Sequence, residues 1–259
     1  MKSLLFAGVA GLVLTGCCCY QNPALDPQFC APITCQKISQ PIQLDGKLDD
    51  PAWAEAAEYN LIVCDRLSDK PPLEQQLIMG DVFEKATVKI AHDDDYIYVG
   101  ACLEDHDVVQ TTEEEQQHSY KTGDVLEVFL WPDQFPFYWE IYSTPNSKRT
   151  VFFFPAGGYP KGGVLSSTEL PPGLEAASQI QGSLNDSSDR DEGWSTEMRI
   201  SKAELAKQGV KFEPGQSWRC LIARYNYSKK FYLEQNSTYP QLPQFNYHIR
   251  GYYAPVIFK

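Results

Sequence analysis

The sequence predicts an all-β fold, an antiparallel β-sandwich of immunoglobulin-like or jelly-roll-like kind with one or two short helices. Three observations carry this. Apolar and polar residues alternate in many short runs, turn residues separate those runs at short spacing, and only two segments carry helical signals. With 43% hydrophobic and 13% aromatic residues, the chain can fill one large β domain or two small ones.

The elements follow in order. Residues 1–16 (MKSLLFAGVAGLVLTG) join a basic Lys2 to an apolar run, Leu4–Leu14, that is too short to span a bilayer. Residues 17–37 are rich in Pro, Cys and polar side chains and read as a tether, which leaves 38–259 as the domain. Strands are expected at Ile42–Leu44, Leu61–Val63, Ala86–His92, Tyr96–Glu104, Asp124–Trp131 and Phe137–Ser143. Further strands are expected at Thr150–Phe154, Ala176–Leu184, Gly193–Ile200, Trp218–Tyr227 and Ala254–Phe258. Asp93-Asp94-Asp95 forms the turn of a hairpin between the third and fourth of these. The helical segments are Pro51–Glu58 and Ser201–Lys207, the second with Ser201 as N-cap and Glu204 three residues on, the pattern of a capping box.

One strand poses a chemical question. In GDVLEVFLWPD, Leu126, Val128 and Leu130 form one apolar set, whereas Val125, Glu127, Phe129 and Trp131 form the other. Burying Glu127 alone would cost several kcal/mol, so it needs a counter-ion or a ligand. If 124–131 and 137–143 pair around Pro132–Pro136, Glu140 comes to lie near Glu127, with Tyr138 and Tyr142 on the same face. Arg224 and Asn226 share a face of another strand and are the expected source of a positive charge and an amide.

The 34 acidic and 22 basic residues give a formal charge of −12, which argues against nucleic acid and suits neutral partners such as sugars, or divalent cations. Of the eight cysteines, Cys30 and Cys35 are near enough in sequence to close a small loop. No cysteine or histidine spacing matches a zinc site.

Two resemblances add to these readings. Leu14-Thr15-Gly16-Cys17 resembles the lipobox of bacterial lipoproteins, which implies cleavage before Cys17, acylation of Cys17, and an exported protein anchored to a bacterial membrane. The ordered segments LDGKLDDPAW, GDVLEVFLWPD, YWEIYSTPNSKR, GWSTEMRISKAEL and FNYHIRGYYAPVIF resemble the family 9 carbohydrate-binding modules and their DOMON-like relatives over residues 38–259. That resemblance implies non-catalytic carbohydrate binding in support of carbohydrate catabolism, beside a partner enzyme the sequence does not identify.

The family's sugar slot lies between two aromatic rings edged by polar groups. Here Tyr120 is nearest to the first ring, Glu127 matches the strand glutamate, and Glu140 stands where the family has an arginine. The loop before the last strand offers Tyr232, Tyr239 and Phe245 as the second ring, with Arg224 and Asn226 as flanking partners. Relatives carry structural calcium, for which Asp93, Asp95 and Asp105 are the candidate ligands; solvated turns are the competing reading. Two alternatives stand beside this one. A glycoside hydrolase would use Glu127 and Glu140 as acid and base. A haem-binding DOMON-type electron-transfer domain would draw its ligands from His92, His106, His118, His248 and Met79.

Overall fold

The computed structural model describes residues 31–63, 84–156, 165–166, 173–229, 231, 234–242 and 245–259. Two β-layers face one another. The first runs β10 (Leu174–Gln181), β11 (Gly193–Ser201), β5 (Tyr96–Glu104), β4 (Ala86–His92) and β2 (Glu58–Asn60). The second runs β12 (Trp218–Asn226), β6 (Val125–Pro132), β7 (Tyr138–Ser143), β8 (Arg149–Phe154) and β9 (Leu165–Ser166). Along the free edge of β12 lie β14 (Ala254–Phe258) and β13 (Gln235–Tyr239), and β3 (Ile62–Val63) pairs with β13. The expected antiparallel sandwich is thus present, with one parallel feature. β1 (Ile33–Lys37) pairs in parallel with both β14 and β4 and joins the layers at a seam.

The core explains the alternation. Leu126, Val128 and Leu130 of β6 face Val88 and Ile90 of β4, Val99 and Ala101 of β5, and Trp194 and Met198 of β11, all buried in one apolar cluster. The outer face of the first layer is closed by residues 38–56. There Trp53 packs with Ala91 and Tyr98, and its ring lies where a side chain on Gly100 would clash. Glu197 of β11 fixes this flap. Its Oε1 accepts the Trp53 indole N–H at 2.7 Å, and its Oε2 accepts the amides of Asp45 (2.9 Å) and Gly46 (2.8 Å). Gly46 has φ +84°, and a Cβ there would meet the Ser178 backbone at 2.8 Å, so only glycine fits the turn.

Several local expectations need correction. Residues 33–37, read as tether, form β1, because Ile33 and Cys35 are inward-facing core residues. Residues 42–44 form no strand; they belong to the flap. Pro51–Glu58 is only a 3₁₀ turn, Pro51–Ala54, with Trp53 as its buried anchor. The second helix, α1 (Lys202–Ala206), is capped as expected by the Ser201 hydroxyl, which accepts from the Glu204 amide at 3.4 Å. The Glu204 carboxylate pairs with Lys207 at 2.7 Å rather than completing the box. Cys35 and Cys220 are free thiols in the core and Cys102 is free and exposed, while Cys17 and Cys30 lie outside the described residues.

Candidate functional site

The second layer turns its other face outward, and this face is aromatic. Val125, Phe129, Tyr138, Tyr142, Phe152 and Phe154 form a second cluster, with Leu221 and Ala223 of β12. Into it β6 and β7 project Glu127 and Glu140. The hairpin register sets Glu127 opposite Tyr142 and Glu140 opposite Phe129, so the two acids are diagonal neighbours on one face.

Two loops wall this floor. The turn Ser119–Lys121 precedes β6 and presents His118 and Tyr120. The Thr122 amide donates to the Ser119 carbonyl at 3.0 Å, and the Tyr227 hydroxyl donates to the Tyr120 carbonyl at 2.5 Å. Gly123 follows with φ +151°, and a Cβ there would fall 2.0 Å from the Val109 carbonyl oxygen, so the close crossing requires glycine. Asp124 is fully buried and structural: its carboxylate accepts the Val109 and Tyr227 amides, each at 2.6 Å. The opposite wall is residues 245–248, ahead of β14. The Tyr247 hydroxyl donates to Asn236 Oδ1 at 3.0 Å, and the Tyr253 hydroxyl ties back to the Tyr247 carbonyl at 2.7 Å.

Between the walls lies a cavity of about 320 Å³. Such a volume falls at the small end of the roughly 300–1,000 Å³ typical of ligand sites. Glu127, Glu140 and Tyr142 form its polar floor, Phe152 and Phe154 continue it on β8, and Tyr225 enters from β12. His118 and Asn246 are exposed at the rim. The rings support one another: His118 stacks on Phe152 at 4.7 Å, Tyr120 on Tyr225 at 5.4 Å, and Phe245 meets Tyr225 edge-on at 6.0 Å.

The electrostatics of the floor are unusual. Glu127 is 1% and Glu140 5% exposed. The Tyr142 hydroxyl donates to Glu140 Oε1 and also sits within reach of Glu127. Glu127 Oε1 and Glu140 Oε2 have no hydrogen-bond partner among the described residues. Burial pushes Glu140 up to about 7, and burial together with the neighbouring Glu140 raises Glu127 well above the carboxylate range. His248 Nε2 lies 3.9 Å from Glu140 Oε2, yet burial lowers that imidazole to about 4, and its Nδ1 pairs with the Tyr138 hydroxyl at 2.9 Å. Burial thus disfavours the charged form of both acids and of the neighbouring imidazole.

Solved structures with the same architecture exist. A protein from Bacteroides uniformis ATCC 8492, provisionally assigned to carbohydrate binding, superposes with a TM-score of 0.66 at 12% identity, covering 88% of this chain and 99% of that one. A family 9 carbohydrate-binding module from Caldicellulosiruptor kristjanssonii in complex with cellotriose gives 0.54 at 13% identity, covering 88% and 93%. This chain has the family 9 module fold. The glucose complex of a family 9 module from the same organism gives 0.52 at 13% identity, covering 87% and 95%. No family model and no curated protein matches the sequence.

On this family 9 fold, Tyr120, Glu127 and Glu140 come together in the cavity, as does Phe245 from the last loop. Tyr239 does not. It lies on β13 paired with Ile222, its ring 4.6 Å from Tyr59, packed against the core on the far side of the sheet. Tyr232 lies outside the described residues. Arg224 and Asn226 are also placed elsewhere, because Arg224 pairs with the inward-facing Leu126. Its guanidinium, 1% exposed, donates to the Glu104 carbonyl (2.7 Å), Asp105 Oδ2 (3.1 Å) and Asn226 Oδ1 (2.9 Å). Asn226 in turn donates to Glu84 Oε2 at 2.7 Å. The expected positive partner of Glu127 thus serves an internal polar network instead.

Of the calcium candidates, Asp93 and Asp105 already have protein partners. Asp93 Oδ1 accepts the amides of Asp95 (2.8 Å) and Tyr96 (2.7 Å) as a turn cap, and its Oδ2 accepts the Tyr98 hydroxyl at 2.7 Å. Asp105 faces Arg224, and Asp95 is a turn residue. Among the described residues no cluster of three or more His, Cys, Asp or Glu side chains could hold a metal ion. The histidines are dispersed: His92 beside Lys202 Nζ (3.0 Å), His106 against Glu84 (2.8 Å), His118 at the cavity rim and His248 in its wall. Met79 lies outside the described residues. Sequence reasoning missed Tyr225, Phe152 and Phe154 as lining rings; the alternation of Phe152 and Phe154 with Val151 on β8 was a readable signal, whereas both faces of β12 are apolar around Tyr225.

Proposed function

We propose that the protein is a non-catalytic carbohydrate-binding module, carried on a lipid-modified exported chain and serving carbohydrate catabolism. The observation that carries the binding role is the cavity: stacked rings wall a floor of buried carboxyls with vacant lone pairs, on a family 9 fold. Rings supply flat apolar surface for the C–H face of a pyranose, and buried polar oxygens fix its hydroxyls. In this reading Glu127 and Glu140 hold sugar hydroxyls rather than serve as acid and base.

Calorimetry against mono-, oligo- and polysaccharides is expected to give saturable binding that Tyr120→Ala and Phe245→Ala weaken, with no sugar released. Failure to bind any member of a broad glycan panel overturns the reading. The anchor is tested separately by labelled-palmitate incorporation, expected in the wild type and abolished in Cys17→Ser.

A further inference from the structure

The floor of the cavity holds two acids and, among the described residues, no cation. Both Glu127 and Glu140 are at least nine-tenths buried and line the cavity, and each has one buried oxygen without a hydrogen-bond partner among the described residues, that of Glu140 lying 3.9 Å from His248 Nε2. Among the described residues, no lysine or arginine lines it. The nearest recorded cations are engaged at the margin. Arg250 donates to the Pro136 carbonyl at 2.8 Å and lies 4.3 Å from the Trp131 ring centroid, and Lys121 Nζ lies 5.5 Å from that of Tyr120. The second feature is the ring density. Tyr142, Phe152, Phe154 and Tyr225 surround the two acids, and aromatic faces attract a cation brought within about 6 Å. Two buried acids without a lysine or arginine partner among the described residues, set among aromatic rings, suit a cationic group better than a neutral hydroxyl.

Building on the carbohydrate-binding reading, we propose that the preferred ligand is a sugar carrying a free amino group, its ammonium seated between Glu127 and Glu140 with the pyranose against the surrounding rings. The ammonium has three N–H donors, enough to meet Glu127 Oε1 and Glu140 Oε2 at once. Binding draws these acids into the ionised form, so carboxyl protons pass to the buffer. The other titratable groups around them are Tyr138 and Tyr142 on β7, Tyr225 on β12, Tyr247, His248, Arg250 and Tyr253 on the closing segment, and His118 and Tyr120 on the entrance turn, with Lys121 over the Tyr120 ring.

The test is titration calorimetry of the full chain with glucosamine, N-acetylglucosamine and glucose, and with chitosan, chitin and cellulose oligomers. The amino sugars are expected to bind at least tenfold more tightly than their N-acetylated and neutral counterparts, which keep the ring but lose the charge. The preference is expected to fall to near unity in Glu127→Gln and Glu140→Gln. The ligand comparison on wild-type protein holds even if a variant fails to fold. Equal or tighter binding of glucose or N-acetylglucosamine overturns the amino-sugar inference and leaves the carbohydrate-binding reading standing. Absence of binding to every sugar tested overturns both.

Discussion

Glu140→Gln separates the cost of the buried acid pair from everything else in the fold. Burial raises Glu140 from an ordinary 4.5 to about 7. Between those values the native state holds a proton that the unfolded chain has lost, so this group's stabilisation is complete below pH 4.5 and lost as pH rises towards 7. At roughly 1.4 kcal/mol per pH unit, the loss is about 3 kcal/mol. Glutamine keeps the shape and still accepts the Tyr142 hydroxyl, but it never ionises. The two proteins are therefore expected to be similarly stable near pH 4.5, with the variant ahead by about 3 kcal/mol at pH 8. That difference corresponds to roughly 6–12 °C in Tm for a domain of this size. Relief of Glu127 from its neighbouring charge acts in the same direction. His248, lowered to about 4, has the opposite slope: its contribution is present above 6.5 and lost as pH falls to 4. It is common to both proteins and drops out of the difference. Urea unfolding at pH 4.5, 6 and 8 measures the gap. A gap that stays constant with pH, or a wild type that is the more stable at pH 8, refutes the assignment of a strained acid pair.

Other outcomes follow from the same contacts. Glu197→Ala strands the Trp53 indole and two backbone amides, and is expected to cost about 3–5 kcal/mol in thermal or urea unfolding. Arg224→Met leaves buried Asp105 without its cation and is expected to cost about 3–5 kcal/mol. The fraction that folds should keep the wild-type glycan affinity, because Arg224 faces the core. Phe245→Ala is expected to lower affinity by roughly 1–3 kcal/mol while shifting Tm less than Glu197→Ala does, read by calorimetry and melting side by side. Thiol titration of the native protein should modify Cys102 well before Cys35 or Cys220, which are buried, with burial pushing Cys35 up to about 12.

The legible parts of the fold were those where chemistry differed between alternate positions. In β6 one set is purely aliphatic, so the opposite placement of Glu127 followed from periodicity alone. In β12 both sets are apolar, Cys220 and Ile222 on one side and Leu221 and Ala223 on the other, so the pattern could not decide which side Arg224 would take. Register against Leu126 decided it. The β13 segment QNSTY looks like loop because it has almost no aliphatic residue; its Asn236, Ser237 and Thr238 are buried by neighbouring strands all the same. Ile33–Lys37 was hidden by the Pro- and Cys-rich run around it, and its strand character comes from partners at the far end of the sequence.

That last pairing joins the two ends of the described chain. The Lys37 amide donates to the Lys259 carbonyl at 2.5 Å, and the Lys259 amide donates to the Cys35 carbonyl at 3.1 Å, so the seam is stitched between opposite ends of the described chain. A contact of such high sequence separation carries the largest loop-closure entropy in the molecule. During synthesis β4–β5, β6–β7–β8 and β10–β11 can pair as local hairpins, but β1 has only β4 to hold until Ala254–Phe258 emerges. The sandwich then closes like a clasp, and the last strand made is the one that locks the first.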